Sequence, residues 1–503
     1  MATSKARWFA LAALAFCTLA VGLDGTVLSV ALPTLAHDLD ATTGDLQWFT
    51  TSYLLVLAAA LLPAGMLGDR FGRKRFLLGA LVLFGAASAW CAWASSAGQL
   101  IAARAALGFA SAVIMALIGA VLTVVFDEET RPRALSIWVT ANALGIPLGP
   151  LLGGWLLDHF WWGSVFLINL PIVVFGLLAV TAWVPESHGD RGRRLDLPGV
   201  LLSAAGLVGV TYGIIEAGEN GLRDPQSILT IVGGVVALIA LAIWQRRAAT
   251  PLIDLDLFRS RGFTGGTALA TIASFAFFGL LFALPQLFQA VGGHDALGTG
   301  LRLLPVIGGL LIGARLADRL VERLGARILV GAGLALMAAA LFAGARSGPD
   351  TGYGYTALWI TFAGIGLGFT MPPSMNAALG ALTPERSGVG NGLIQAMRQV
   401  GSAIGVAVLG TVLNTGYRDQ VSAAGLPATV QDSAASGVVI AQRAGDAGML
   451  GTVREAFTHG MDLALVTTGA VAAAGVLLVL ILPRHTRRPA TTAPESVLAE
   501  SGV

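Results

Sequence analysis

The sequence predicts an all-α polytopic membrane protein, and three observations carry that reading. Charged residues make up only 12% of the 503-residue chain, about half of the roughly 25% usual in a soluble domain. Hydrophobic residues reach 55%, and the mean hydropathy is +0.76. The apolar residues are gathered into runs of about 20, the length that crosses a bilayer as a helix. Charged or Pro/Gly-rich turns separate the runs. Lipid offers no partners to open backbone groups, so each run is expected to be helical.

Fourteen runs follow in order. The first, 8–32, is too long for the roughly 7–15-residue apolar region of a secretory leader and reads as a span. Runs at 46–67, 76–95, 100–125, 135–157 and 164–184 complete a first group of six. Two more lie at 197–216 and 226–244, and a second group of six at 263–284, 300–317, 327–345, 355–380, 388–415 and 459–482. The expected organisation is an N-terminal six-helix half (1–184), two extra helices with their linkers (185–262), a C-terminal six-helix half (263–483) and a tail (484–503). The joints are the polar stretches PESHGDRGRRLD (185–196) and QRRAATPLIDLDLFRSRG (245–262). Segment 416–458, rich in Gly, Ala and Ser, is expected to be a long and partly mobile outer loop.

Lys and Arg in the loops set the orientation. With the N-terminus in the cytoplasm, cytoplasmic segments, counting Arg315 and Arg327 at the span ends beside the 313–327 turn, hold 23 of the 31 basic residues and outer segments hold 5, while Arg104, Arg302 and Arg398 are counted within spans. Both termini are therefore expected in the cytoplasm. The turn GMLGDRFGRKR (65–75) is then the first cytoplasmic loop. Asp69 can cap the helix that follows and meet its positive end. Arg70, Arg73, Lys74 and Arg75 hold the turn inside, while Gly65 and Gly72 permit a tight turn. A looser echo, GARLADRLVERLGAR (313–327), follows the second span of the second group. There Gly313, Asp318, Arg319, Gly325 and Arg327 answer Gly65, Asp69, Arg70, Gly72 and Arg73. Parallel halves of this kind, with inverted repeats inside each, are a known transporter design.

Other classes find little support. The net charge of +2 is too small to suggest nucleic acid. The two cysteines, Cys17 and Cys91, lie inside apolar runs and read as core residues. The chain has no GxxxxGK[ST] nucleotide loop. No His/Asp, Cys/His or metal-ligand constellation falls inside the spans, which weighs against a membrane enzyme, and no metal or cofactor is expected.

Several motifs then fall in order on the right spans. They are LDGTVLSVALP (23–33) on the first, GMLGDRFGRKR after the second, LIAARAALGFA (100–110) on the fourth and GIPLGPLLGG (145–154) on the fifth. YGIIEAGENG (212–221) and RQVGSAIGVAVLG (398–410) follow. On these the chain resembles the major facilitator superfamily, in its fourteen-span drug:proton antiporter branch (EmrB/QacA type). It departs at Ser29, where the family usually has Asn, and at Leu107, where a polar residue is common. The resemblance implies a monomeric exporter in the bacterial cytoplasmic membrane. It would move hydrophobic, cationic drugs or antibiotics outward against inward proton flow, with no cofactor beyond the proton gradient. The alternative is a dedicated exporter of an endogenous metabolite such as a self-made antibiotic, lipid or siderophore.

Candidate site residues follow. Asp24 is a carboxylate inside the first span, and ionisable groups there are functional candidates by default. Arg104 lies at a similar depth in the fourth span and is its expected partner; the resemblance ties this arginine to proton coupling. Glu216 is a second protonation candidate, although an interfacial position would explain it equally, and Asp462 is similarly placed. Gly145, Pro147, Gly149, Pro150, Gly153 and Gly154 should make a bent, tightly packed fifth span, associated with gating in the family. There the 65–75 loop also latches the halves in the outward-open state. Asn391, Gln395, Arg398, Gln399 and Ser402 share one helical face, suited either to the transport cavity or to bonds between helices. Asn142 and the aromatic residues Trp48, Tyr53, Phe109, Trp138, Phe275, Phe278 and Phe282 are candidates for a drug-binding surface, with core or lipid-facing positions as the alternative.

Overall fold

A computed structural model describes residues 4–482, apart from 128, 190–194, 222, 249, 350 and 384–385. The predicted tail, 484–503, lies outside the described residues. Among the described residues the fold is helical throughout, without strands. The first half contains α1 (Ser4–Asp38), α2 (Thr43–Phe71), α3 (Arg73–Ala92), α4 (Ala97–Val125), α5 (Arg131–His159), α6 (Ser164–Leu167) and α7 (Asn169–Trp183). The pair α8 (Leu197–Asn220) and α9 (Pro225–Gln245) follows. Then come α10 (Arg261–Gln286), α11 (Ala296–Arg302), α12 (Leu304–Gly344), α13 (Tyr353–Leu379), α14 (Ser387–Ala423), α15 (Ala428–Gln431), α16 (Ala434–Ala444) and α17 (Ala447–Leu478).

Among the described residues, twelve stretches are long and apolar enough to cross a membrane. The sequence count is fourteen, and the difference sits at two places. The 29-residue α5 is not among the twelve. Two of the predicted runs, 300–317 and 327–345, fall in the single stretch Ala296–Gly344, mostly on the 41-residue α12, where the backbone leaves helical geometry at Gly325 (φ 78°, ψ 152°). Gly72, between α2 and α3, has a similar conformation (φ 106°, ψ 122°). The loose sequence echo thus has a backbone counterpart: both charged turns pivot on a glycine whose positive φ disfavours any other residue.

Caps explain many helix starts. Thr42 and Asp45 form a reciprocal capping box at α2, a pairing that satisfies two otherwise orphaned donors. Ser96, Asp224, Ser260 and Asp446 cap α4, α9, α10 and α17. The apolar core separates into one cluster drawn mainly from residues 10–184, a second mainly from 269–482 and a small third around Phe263 and Ile394. The α8–α9 pair packs on α14 and α2. Thr411 donates to the Ile214 carbonyl (2.8 Å), Asn414 to that of Gly218 (3.0 Å) and Arg418 to that of Glu219 (2.6 Å). Helix α9 turns Ile228, Leu229, Val232, Val236 and Ile239 outward, as a lipid-facing helix must.

Segment 416–458, expected to be a long outer loop, has regular secondary structure. It is largely helical: α14 runs on to Ala423, α15 and α16 follow, and α17 begins at Ala447. Ser433 caps α16, and Gly445 closes it in the left-handed conformation. Tyr417 fastens the segment from below by donating to the Val430 carbonyl at 2.7 Å. Its Gly/Ala/Ser content reads as loop by composition, yet these small residues serve close helix contacts here.

Asp196 anchors the extra pair to its linker. Its carboxylate accepts from Gly199 N (2.9 Å), Trp244 Nε1 (2.8 Å), Gln245 Nε2 (2.7 Å) and Leu252 N (3.3 Å). Burial alone would raise its pKa, but these donors outweigh burial and hold it below the usual carboxylate value. A depressed carboxylate pKa contributes stability above the unfolded value of about 3.9, and the contribution is lost as pH falls through the folded value. Asp196→Ala should therefore lower stability by about 1–3 kcal/mol at neutral pH. The deficit in melting temperature relative to wild type should shrink on acidification below about pH 4. An unchanged melting temperature at neutral pH would remove Asp196 from this role.

Candidate functional site: a buried ion pair beside a central cavity

Asp24 lies mid-way along α1 and is gripped from two other helices. Arg104 of α4 donates from Nη1 to Asp24 Oδ2 at 2.8 Å, and Asn169 of α7 donates from Nδ2 to Oδ1 at 3.1 Å. The side chains of Asp24 and Arg104 are 0% and 1% exposed. The rest of the guanidinium is also engaged: Nε donates to the Phe49 carbonyl of α2 at 3.0 Å, and the Tyr53 ring lies 4.3 Å from its carbon. Asn169 also reaches Ser88 Oγ of α3 at 3.1 Å. One carboxylate thus ties together α1, α2, α3, α4 and α7. A pair this dry is held by mutual neutralisation, and removing one member leaves a buried charge, at a cost of about 3–5 kcal/mol.

Tyr53 connects this pair to the space between the halves. It lines a cavity of about 730 Å³, partly continuous with solvent. From the first half come Val21, Gly25, Thr26, Leu57, Met115, Asn142 and Ile146, among others; from the second come Phe277, Phe278, Leu310, Leu367, Met371, Gln395, Arg398 and Gln399. The predicted cavity residues Tyr53, Asn142, Phe278, Gln395, Arg398 and Gln399 therefore meet here. The other five aromatic candidates lie elsewhere. Phe109 is 38% exposed on the outside of α4, and Phe275 is buried with its carbonyl against Gly405. Trp48 packs near Tyr212, and Trp138 donates to Thr18 Oγ1 at 2.8 Å. Phe282 belongs to the core. Ser402 donates to the Arg398 carbonyl within its own helix.

Glu216 is partly buried and accepts from Asn220 at 2.5 Å, one turn on in the same helix. Its neighbour Glu219 makes the inter-helix contact instead, accepting from Gly44 N at 3.1 Å. Asp462 lines a separate cavity of about 600 Å³ with His294 and Tyr353, and its Oδ1 has no hydrogen-bond partner among the described residues.

Small residues seat α5 against α1 directly beside Asp24. A Cβ at Gly145 would fall 2.7 Å from Gly22 C and Leu23 N, and one at Gly149 would collide with Thr26 Oγ1. Pro150 has no N–H for the Ile146 carbonyl, and the Thr26 hydroxyl lies 3.3 Å from that oxygen. Gly153 faces Val27 of α1. Gly154 and Pro150 instead face the other half, against Ala296 and Gly300 of α11. Pro147 lies inside the same helix.

The halves meet most closely at the end holding Asp38, Thr43, Asp158 and Asp295. There Gln47 donates to the Ala407 carbonyl (2.7 Å), Gln289 to that of Val30 (2.9 Å), Thr43 N to that of Asp432 (3.1 Å) and Leu297 N to Asp158 Oδ2 (3.2 Å). At the opposite end lies the 65–75 turn. Arg73 Nε bonds Asp69 Oδ1 at 2.7 Å, Gly189 N donates to the Asp69 carbonyl, and Arg75 pairs with Glu186 at 3.6 Å. Arg70 lies over the Phe71 ring, and a Cβ at Gly72 would meet Glu186. A Cβ at Gly65 would meet only Ala116, at 3.9 Å. Among the described residues, every polar contact of this turn stays within the first half and its following linker.

Sequence reading missed Asn169, Ser88 and Tyr53 as the surroundings of the pair. Asn169 did carry a signal, being the one amide inside the apolar run 164–184. Ser88 and the Phe49 carbonyl carried none.

The family model described as Major Facilitator Superfamily matches residues 14–406. The chain belongs to the Major Facilitator Superfamily. It is thus a multi-pass membrane transporter rather than an enzyme. Among curated relatives, the Tetracenomycin C resistance and export protein of Streptomyces glaucescens is 30% identical over 97% of this chain and 93% of that protein. Multidrug resistance protein Stp of Mycobacterium tuberculosis is 34% identical over 78% of this chain and 73% of that protein. The Puromycin resistance protein of Streptomyces alboniger is 32% identical over 81% and 82%. Among solved structures, a bacterial homolog of the human lysosomal transporter Spinster, inward-facing and unoccupied, gives a TM-score of 0.69 at 16% identity, covering 96% of this chain and 98% of that one. A D-xylose–proton symporter gives 0.63 at 14% identity, over 95% and 98%. At such identities these two establish the superfamily fold alone.

Two substitutions test the packing of the site. Asp24→Ala should destabilise the protein by about 3–5 kcal/mol, while Asp24→Leu combined with Arg104→Met should recover most of that loss. Thermal unfolding followed by size-exclusion in detergent would show this, and a double variant no better than the single one would refute mutual neutralisation. Gly145→Val should separate α1 from α5 and cost about 1–3 kcal/mol; wild-type thermal stability would mean that this contact tolerates a gap.

Proposed function

We propose that this protein is a proton-coupled exporter of lipophilic drugs or antibiotics in the bacterial cytoplasmic membrane. The observation that carries the reading is the buried Asp24–Arg104 pair, with Tyr53 touching Arg104 on one side and lining the cavity between the halves on the other. The names of the relatives, all of drug or antibiotic resistance or export, supply the cargo class.

Protonation of Asp24 would neutralise it and leave Arg104 held only by the Phe49 carbonyl and the Tyr53 ring. The guanidinium would then press on Tyr53, and so on the cavity wall. Proton uptake and cargo occupancy are coupled through that one ring. The energy source is the proton gradient, no cofactor takes part, and the transporter works as a monomer in the bilayer.

The membrane arrangement is fourteen spans. It adds α5 to the twelve apolar stretches and divides α12 at Gly325. Both termini are cytoplasmic, as the basic residues argue. On that orientation the end where the halves meet is the outer one, and the structure is the inward-facing state. The 65–75 turn, bonded among the described residues only within its own half and linker, is then an open latch.

A second reading is export of one endogenous metabolite. The relative matching 97% of the chain is named for resistance to, and export of, a single compound. The two readings share a mechanism and differ in breadth of cargo.

In inside-out vesicles with a pH-sensitive dye, an exported drug should release protons that respiration has accumulated. Asp24→Asn should abolish this release while the protein still inserts in the membrane. Equal release by wild type and Asp24→Asn would move the proton site elsewhere, first to Asp462 or Glu216. No release with any drug, including single-antibiotic candidates, would overturn proton-coupled export.

A further inference from the structure

The central cavity carries an uncompensated positive charge. Arg398 of α14 is its one formally charged lining residue among the described residues. Unlike Arg104, it has no carboxylate partner there. Its Nη1 donates to Gln395 Oε1 at 2.6 Å and its Nε to Ser274 Oγ at 3.3 Å. Its remaining contacts are the thioether sulfurs of Met375 (3.7 Å, from Nη1) and Met371 (3.5 Å, from Nη2). A thioether is a weak acceptor. A planar guanidinium presents five donors in a fork suited to a two-oxygen anion, and here most of that fork faces neutral or soft groups. Beside it, Gln399 Oε1 is buried without a hydrogen-bond partner. The second half's other lining residues are apolar, Phe277, Phe278, Leu310 and Leu367, and the first half adds the neutral polar groups of Thr26, Tyr53 and Asn142.

We infer that the cargo is an amphipathic anion, an apolar body carrying a carboxylate or ionised phenol that pairs with Arg398. This deepens the export reading and rests on it. It also reverses the cationic cargo expected from the sequence. A lipophilic cation would enter a cavity that offers it no carboxylate and already holds a positive charge. An anion would supply the counter-charge that this partly buried guanidinium lacks. The thioethers of Met371 and Met375 would then pack the apolar body, as polarisable and adaptable side chains do.

The test uses the purified full chain in detergent and three fluorescent probes with one apolar body: pyrenebutyrate, the matching pyrenebutyl-trimethylammonium and the neutral pyrenebutanol. Wild type should bind the anion at least about tenfold more tightly than the cation. Arg398→Gln should remove that preference while keeping pyrenebutanol binding. Arg398→Lys should retain part of it. Gln395→Glu, which places a carboxylate beside Arg398, should abolish the anion preference even if Arg398→Gln fails to fold. Equal or reversed preference in wild type, failure to bind the anion at all, or an anion preference that survives Gln395→Glu would overturn the inference. Drug-elicited proton release from vesicles is scored separately. Intact release without anion preference would sink this inference and leave export standing, whereas loss of release with every drug would sink export itself.

Discussion

The ion pair between Asp24 and Arg104 is the constraint around which the first half is built. It lies where water is excluded, so each charge needs the other. The helices must therefore bring them within hydrogen-bond distance and keep them there. The glycines of α5 do this from one side, letting α1 sink against it at Gly22 and Thr26. Gly108 does it from another, since a Cβ there would strike the Tyr53 carbonyl of α2. Asn169 and Ser88 complete the shell from α7 and α3. The close helix approaches are thus the geometric condition for a neutralised pair, in addition to their own dispersion energy.

Much of this was legible in the sequence because membranes make charge conspicuous. A carboxylate and an arginine within two apolar runs stand out, and their depths along the helices could be compared from the rise per residue alone. Small-residue spacing in 145–154 announced close packing for the same reason. What could not be read was the identity of neutral partners. Phe49 contributes a backbone carbonyl, which every residue has, and Ser88 looks like any small residue in a packed helix. Aromatic residues were least legible: Phe109, Trp138 and Phe278 all lie inside apolar runs, yet of the three only Phe278 reaches the cavity. Which way a side chain points depends on helix rotation, and α4 and α5, with weakly amphipathic faces, give periodicity little to act on.

The composition of 416–458 misled for a related reason. Gly, Ala and Ser mark loops in water because they bury little surface. In a helical bundle the same residues let backbones approach, as Gly416 does against Gly460. A segment of small residues at a membrane boundary is therefore ambiguous until its caps are considered. Ser433 and Asp446 stand just before helical segments here, and they resolve the ambiguity.

Contacts within a half and contacts between halves differ in kind, and that difference bears on motion. Inside the first half a buried ion pair and interlocked backbones resist deformation. Between the halves, at the end where they meet, the polar contacts are mostly single hydrogen bonds from amides to carbonyls, such as Gln47 to Ala407 and Gln289 to Val30. Each such bond contributes about 1 kcal/mol net, and water can replace it when the surfaces part. No ion pair joins α1–α7 to α10–α17 among the described residues. The close steric contacts across the halves, Gly154 on Ala296 and Gly300 on Pro150, bring backbones together without charge. Strong cohesion within the first half and replaceable bonds across the boundary are what rigid-body rocking would require. The cavity lies on that dividing surface, so a ligand bound at Arg398 would touch both bodies and bias the angle between them.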